Sequence, residues 1–159
     1  MLVKYPDPIL TTALEDFDFF NTPQTPLEIA TKLMTVMNDC SAVGLAANQI
    51  GLPHRVFVMR GHPENFVCFN PRIVHRGAEQ SSMEEACLSF PGVTVKIKRP
   101  TEIRVRFQAP SGAVVTQKFE GLTARVFQHE LDHLDGVLFF NRAGRYHREK
   151  ALKGFYNVK

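Results

Sequence analysis

Apolar residues recur at helical spacing in two parts of the chain. The first part covers roughly residues 27–40, where the apolar positions are Ile29, Leu33, Val36, Met37 and Cys40. A Thr-Pro-Leu-Glu run at 25–28 precedes them and is typical of a capped helix start. The second part runs from about Leu122 to Leu134 and predicts a late helix with a buried face.

Between these helices the apolar positions change to a period of two, which predicts strands. Residues 102–119 alternate on both sides of a Pro-Ser-Gly turn, so they are expected to form a hairpin. The other predicted strands are 55–59, 93–98 and 67–74, the last interrupted at Asn70-Pro71. The expected fold class is α+β, with a largely antiparallel sheet around the late helix.

The composition indicates one globular domain over residues 1–159. The chain is 44% hydrophobic and 22% charged, which suffices for a buried core. It has no run of about 18 apolar residues, and Pro and Asp interrupt the N-terminal stretch, so neither a membrane span nor a signal peptide is expected. The three cysteines are too few for a disulfide framework, which favours a cytoplasmic location.

The net charge of +3 is concentrated near the C-terminus. Residues 142–159 hold six basic residues and one acidic residue, whereas the rest of the chain is slightly acidic. This basic C-terminal tail is interpreted either as a solvated segment or as a surface weakly attracted to RNA. Residues 146–156 are compatible with a short basic helix. Nothing in the pattern indicates sequence-specific nucleic-acid binding.

The late helix carries the clearest candidate chemistry, the HExxH run from His129 to His133. Two histidines four residues apart project from one helix face, about one turn apart, so both can bind one metal ion. Glu130 lies beside them, where it can serve as a general base. The apolar residues that flank the motif indicate a buried helix, and buried histidines need partners.

A catalytic metal site usually has a third protein ligand, and the residues alone leave its identity open. Phe139 stands where the HExxHxxGxxH pattern has a third His, and Glu149 is the remaining downstream acid. The third ligand is therefore expected upstream, among His54, His62, His75 and the cysteines Cys40, Cys68 and Cys87. Cys87 is favoured, because the other two cysteines fall in apolar elements.

Three motifs give the chain a resemblance to the peptide deformylase family. Residues 42–49 (AVGLAANQ), 85–89 (EACLS) and 128–133 (QHELDH) resemble the family's GxGLAAxQ, EGCxS and QHExDH motifs, in the same order. The resemblance covers most of the chain, but the long C-terminal helix of many bacterial members is expected to be missing. Ala42 and Ala86 replace family glycines, and an alanine strains the backbone wherever φ must be positive.

The resemblance implies a metal-dependent hydrolase that removes the formyl group from the N-terminal formyl-methionine of nascent polypeptides and releases formate. It implies that Cys87 completes the ligand set with His129 and His133, and that Glu130 is the base. Iron(II) is the favoured metal, with zinc, nickel or cobalt as substitutes. Contact between the basic tail and the ribosome is a further hypothesis.

The resemblance also implies how charge on the formyl oxygen is held. The Leu88 backbone N–H and the Gln49 side-chain amide are expected to donate to that oxygen together with the metal.

Asp132 is expected to form a salt bridge with Arg99. Arg99 is expected to open the next strand, and the pair would support the site from behind.

Five further residues are expected to bind the substrate. The resemblance implies that backbone groups of Val43 and Gly44 hold the peptide like an added strand. Leu122 and Val126 are expected to line the methionine pocket, and Arg125 lies either at its mouth or simply at the surface.

Two other functions remain open at this level. One is a different HExxH metallopeptidase, against which Phe139 and the lack of a suitable downstream acid argue. The other is a non-enzymatic module with a closed metal site, which has no use for Glu130 as a base.

Overall fold

The computed structural model describes residues 1–157, with side chains through residue 153. Three α-helices lie in this part, at Pro26–Asp39 (α1), Gly121–Leu134 (α2) and Arg145–Asn157 (α3). The strands are Gly44–Ala46 (β1), Val56–Met59 (β2), Phe66–Arg76 (β3), Gln80–Cys87 (β4), Phe90–Pro100 (β5), Glu102–Gln108 (β6) and Val114–Glu120 (β7). The predicted α+β class is confirmed.

Local sequence accounts for both of the predicted helices, α1 and α2. The Thr25 hydroxyl accepts the Glu28 N–H and the Glu28 side chain accepts the Thr25 N–H, so the first turn of α1 is closed by a capping box. Helix α2 begins one residue before the predicted start and ends at Leu134 as expected.

Five of the strands form one antiparallel sheet, in the order β1-β2-β3-β6-β7, and β4 and β5 form a separate hairpin. Helix α2 packs on the larger sheet through Phe127, whose ring lies 5.0 Å from that of Phe57 and 5.7 Å from that of Phe119. Strand β1 is at one edge of this sheet, directly beside α2.

Strand β3 corrects one expectation, because it runs without interruption through Asn70-Pro71. Asn70 has a φ of +50°, and the pairing register with β6 shifts between Phe69 and Arg72. The Asn70 side chain accepts the Phe17 N–H and donates to the Phe17 carbonyl, which stabilises this bulge.

The C-terminal segment is docked on the fold. Ala151 and Leu152 of α3 pack against the cluster of β5 and the 139–142 turn, and Arg142 binds Asp132 at 2.8 Å. The described tail is therefore a helix docked through two apolar residues, while basic side chains such as Arg145 and Lys150 stay exposed, in keeping with the solvated interpretation; positions 158 and 159 lie outside the described residues. Among the described residues, no helix is long and apolar enough to cross a membrane.

Candidate metal centre

Helix α2 and the end of β4 bring three metal-ligating side chains together. Cys87, His129 and His133 each offer one ligand atom, and these atoms all lie within 4.8 Å of one another. The Cys87 Sγ is 3.2 Å from the His133 Nε2, and the centroids of the two imidazole rings are 5.1 Å apart. This is the spacing expected of groups that share one ion.

The other upstream candidates do not join this group among the described residues. His54 lies against Phe17 and Gln24, Cys68 is fully buried in the core of the larger sheet, and Cys40 caps the end of α1. Among the described residues, Cys87 is therefore the upstream candidate for the third ligand that lies beside both histidines.

Glu85 holds the His129 ring in a defined orientation. Its Oε1 is 2.8 Å from the His129 Nδ1, and its carboxylate also accepts from Arg99 and Arg125. Burial alone raises the pKa of Glu85, but the hydrogen bonds with His129 and Arg99 outweigh it and lower that pKa to about 2. A carboxylate that accepts from Nδ1 leaves the Nε2 of His129 free to bind a cation.

The two histidines differ in how readily they are protonated. Burial lowers the pKa of His133 well below its ordinary value, which keeps it neutral. Burial also disfavours the charge of His129, yet the hydrogen bonds with Cys87 and Glu85 raise its pKa to about 10. Metal ligands must be deprotonated, so both imidazoles would be neutral at their metal-binding nitrogens in an occupied site.

A buried ion-pair network supports the centre from behind. The predicted pair is confirmed, since an Arg99 nitrogen lies 3.0 Å from an Asp132 oxygen. Arg99 lies near the end of β5, rather than at the start of the next strand as expected. Its guanidinium bridges Asp132 to Glu85, so it connects the residue beside His133 to the partner of His129.

Glu130 is the unusual acid of the site. It is 4% exposed, and its Oε1 has no hydrogen-bond partner among the described residues. Burial raises its pKa to about 7, so its carboxyl exchanges protons near neutral pH. A buried carboxyl oxygen without a partner, next to a cavity, is suited to proton transfer rather than to structural support.

The residues fit a single divalent ion. One thiol and two imidazoles form the donor set that zinc takes readily and iron(II) accepts. The unpartnered Oε1 of Glu130 agrees with this, because a closed structural site has no role for a free carboxylate.

A cavity of about 700 Å³ opens beside Cys87 and His129. Its lining includes the residues predicted to contact substrate, namely Val43, Gly44, Gln49, Leu88, Leu122, Arg125, Val126 and Glu130. Leu122 and Val43 are 60% and 54% exposed, which leaves apolar side chains at the cavity rim. Arg125 is 6% exposed, so the interpretation of a simple surface arginine is wrong.

The two alanines that replace family glycines cause no backbone strain. Among the described non-glycine residues, positive φ angles occur at Ser41 and Asn70 and not at Ala42 or Ala86. An alanine is therefore compatible with the backbone at both positions.

Sequence reasoning gave no role to Glu85 or Ser89, although both lie in the motif around Cys87. The two-residue spacing of Glu85 and Cys87 was not a usable signal, because β4 shows no apolar repeat and its register shifts between Ala86 and Cys87. The contact between Ser89 and Gln49 joins segments 40 residues apart in the chain, so no local pattern could indicate it.

Comparisons with known proteins agree with this geometry. The profile of the polypeptide deformylase family matches residues 1–149. The chain is 41% identical to the peptide deformylase of Desulforudis audaxviator, over 94% of this chain and 96% of that protein. Its fold is similar to the crystal structure of peptide deformylase from Thermus thermophilus, with a TM-score of 0.91, 36% identity, and 98% and 92% of the two chains covered. A Plasmodium falciparum peptide deformylase in complex with inhibitor is also similar, with a TM-score of 0.89, 30% identity, and 99% and 97% covered.

Proposed function

The chain belongs to the peptide deformylase family, and from this premise we propose how its own residues remove the formyl group from the N-terminal formyl-methionine of nascent polypeptides. One observation carries the assignment of roles. The ligand atoms of Cys87, His129 and His133 converge beside a buried carboxylate that has no partner among the described residues, at the wall of an open cavity. We assign the reaction to residues 1–159 as a single catalytic domain.

Cys87, His129 and His133 are the residues that hold the single divalent metal ion. When bound, such an ion makes a water molecule more acidic and polarises the formyl oxygen. The donor set accepts zinc, nickel and cobalt, and we propose iron(II) as the resident metal in the cell. Glu85 keeps the Nδ1 of His129 occupied and so fixes the ring for this task.

Glu130 moves the proton. Its Oε1 is not engaged by any described residue, so it is free to accept the proton of the attacking water and to pass it to the amine nitrogen that leaves. The raised pKa of this carboxyl, about 7, suits a group that must both take and release a proton at neutral pH.

Gln49 and Leu88 stabilise the charge that develops on the formyl oxygen. The Gln49 amide is 3% exposed and its Nε2 lies 3.4 Å from the Cys87 Sγ, at the metal side of the cavity. Leu88 follows Cys87 directly, so its backbone N–H lies beside the same ligand. Donors held in place before the reaction stabilise the oxyanion without a cost of reorganisation.

Replacing Gln49 with Leu tests this donor. We expect kcat for a formyl-Met peptide to fall by about 10²–10³-fold, because that is the typical cost of one lost oxyanion donor. Metal content, measured on the same sample, should stay at the wild-type level. Near-normal turnover in this variant would remove Gln49 from the catalytic site.

The free edge of β1 is the place where the substrate backbone binds. Strand β1 ends the larger sheet, and the Val43 carbonyl accepts the Arg60 N–H of the neighbouring chain segment at 2.9 Å. Because polar groups alternate sides along an antiparallel strand, those of Gly44 face away from β2 and toward the cavity. The apolar side chains of Leu122 and Val126 then receive the methionine.

Gly44 has a second role, since its missing side chain leaves room for Glu130. A Cβ at position 44 would lie 2.8 Å from the Glu130 Oε2 and 2.9 Å from the Val126 Cγ1. We expect Gly44→Ala to displace the carboxylate and lower kcat on the order of 10²-fold, the cost of a misplacement of about 1 Å. Gly144→Ala is the matched control, because a Cβ there meets nothing within 4 Å. Equal kcat values in the two variants would disprove the steric argument.

The activity itself is tested by following formate release and cleavage of internal amide bonds on the same metal-analysed sample. A formyl-Met peptide should release formate in one step, and the same peptide without the formyl group should stay intact. Cleavage of the unformylated peptide would identify an HExxH peptidase instead. An inactive protein that retains its metal would support the non-enzymatic module.

We also propose that the exposed basic side chains of the tail bring the enzyme near the ribosome in the cytoplasm, where nascent chains emerge. Of these, Arg145 is 84% exposed in its side chain. Such an attraction weakens as salt screens the charges. Co-sedimentation with ribosomes should therefore decrease with added salt, and undetectable or salt-insensitive binding would count against this part of the proposal.

A further inference from the structure

The side chain of Gln49 is fixed by three hydrogen bonds. Its Oε1 accepts the Ala46 N–H at 3.0 Å, and its Nε2 donates to the Ser89 Oγ at 3.3 Å and to the Cys87 Sγ at 3.4 Å. A primary amide has two N–H groups; one faces Ser89, and the other faces the Cys87 sulfur on the side where the formyl oxygen is proposed to lie. The contact with Ala46 decides which end of the amide faces the metal ligands, and the other two contacts set its rotation.

Of the two residues whose side chains accept from the Gln49 amide, Ser89 is the one to which no other role in the site has been assigned. It lies in the turn between β4 and β5, is 1% exposed, and the Gln49 contact is the side-chain hydrogen bond found for it among the described residues. A buried hydroxyl is costly unless it is paired, which indicates that this pairing matters.

The backbones of Ser89 and Gln49 are tied to each other through the N-terminal segment. The Val3 N–H donates to the Gln49 carbonyl at 2.7 Å, and the Tyr5 N–H donates to the Ser89 carbonyl at 3.1 Å. The N-terminal segment thus bridges the two residues, and the Ser89 hydroxyl lies within reach of the Gln49 amide.

We propose that Ser89 is a positioning residue, whose hydroxyl holds one N–H of Gln49 so that the other N–H stays directed at the metal side of the cavity. The terminal torsion of a Gln side chain is broad, so an amide that loses this partner can rotate within its site. This inference rests on the proposed role of Gln49 as a donor to the formyl oxygen.

A double-mutant cycle separates positioning from general support. Ser89→Ala should lower kcat about 3- to 10-fold, the equivalent of one hydrogen bond, with KM and metal content unchanged. In the Gln49→Leu background the same change should have no further effect, because the amide that Ser89 orients is already gone. Ser82→Ala is the matched control, since it removes an exposed hydroxyl from β4.

A second readout does not depend on turnover. In the cobalt(II)-substituted enzyme, the sulfur-to-cobalt charge-transfer band reports on hydrogen bonds to the Cys87 sulfur. Ser89→Ala should shift this band in the same direction as Gln49→Leu, and the double variant should show no additional shift. An unchanged band in Ser89→Ala would overturn the proposal, even if the wild-type protein released no formate.

The kinetic outcomes distinguish the donor role of Gln49 from the positioning role of Ser89. If Gln49→Leu is fully active, the donor role of Gln49 and the positioning role of Ser89 both fail. If Gln49→Leu is impaired but Ser89→Ala is unaffected, or is equally impaired in both backgrounds, the positioning role alone fails.

Discussion

Glu130→Gln is expected to retain its metal ion and to lose formate release by about 10²–10⁴-fold, the range typical of a lost general base. The amide of Gln has nearly the same shape as the carboxyl group, but it cannot take a proton from water and return it to the amine. Because burial raises the pKa of Glu130 to about 7, its charged form is disfavoured, and the neutral amide should fit without loss of thermal stability. Turnover of a formyl-Met peptide, metal content and Tm are measured together.

The matched control is Glu79→Gln, which makes the same change at an exposed position just before β4. It should keep both activity and metal. A Glu130→Gln variant that stays active would transfer the role of the base to another residue. If the variant instead lost its metal ion, Glu130 would be a ligand and not a proton carrier.

Cys87→Ser should lose its metal ion and, in parallel, its activity. A serine hydroxyl hardly ionises at neutral pH, so two imidazoles would remain as the effective ligands. We expect metal content per chain to fall well below that of the wild type after dialysis against a chelator. Formate release should fall to the same extent and return only in excess metal.

Cys40→Ser controls for the loss of a thiol elsewhere, since Cys40 is partly exposed at the end of α1. It should retain metal and activity. Unchanged metal content in Cys87→Ser would contradict the ligand set and direct attention back to His54, His62 or His75.

The helix that carries the two histidines was predictable because it is amphipathic. The apolar positions on α2 follow helical spacing and pack on the larger sheet, and this period predicted the helix, although polar residues such as Arg125 and Gln128 are buried as well. The β6–β7 hairpin was predictable for a similar reason, since one face of β6 is buried and the other is exposed.

Strand β4 could not be predicted from its pattern of residues. They are almost all exposed, so neither face shows an apolar repeat, and the pairing with β5 defines the strand. Strand β4 matters for function because it places Glu85 and Cys87 beside α2. The third metal ligand therefore followed from resemblance to a family and not from spacing.

The salt bridges of Arg99 show which part of the site could be predicted from the sequence. Asp132 stands directly before His133, and its salt bridge to Arg99 was predicted from that position and from the opposite charges of the two residues. The additional bridge to Glu85 required the β4–β5 hairpin, whose register places residues 85 and 99 on adjacent strands.

The shortness of β1 has a consequence for which proteins the enzyme can process. Three residues of extended chain span about 10 Å, so in the binding mode proposed above this edge would engage only the beginning of a polypeptide. Main-chain amides are common to every protein, whatever side chains follow the methionine. Backbone binding of the proposed kind, over so short a stretch, would suit one enzyme to substrates with many different sequences after the methionine.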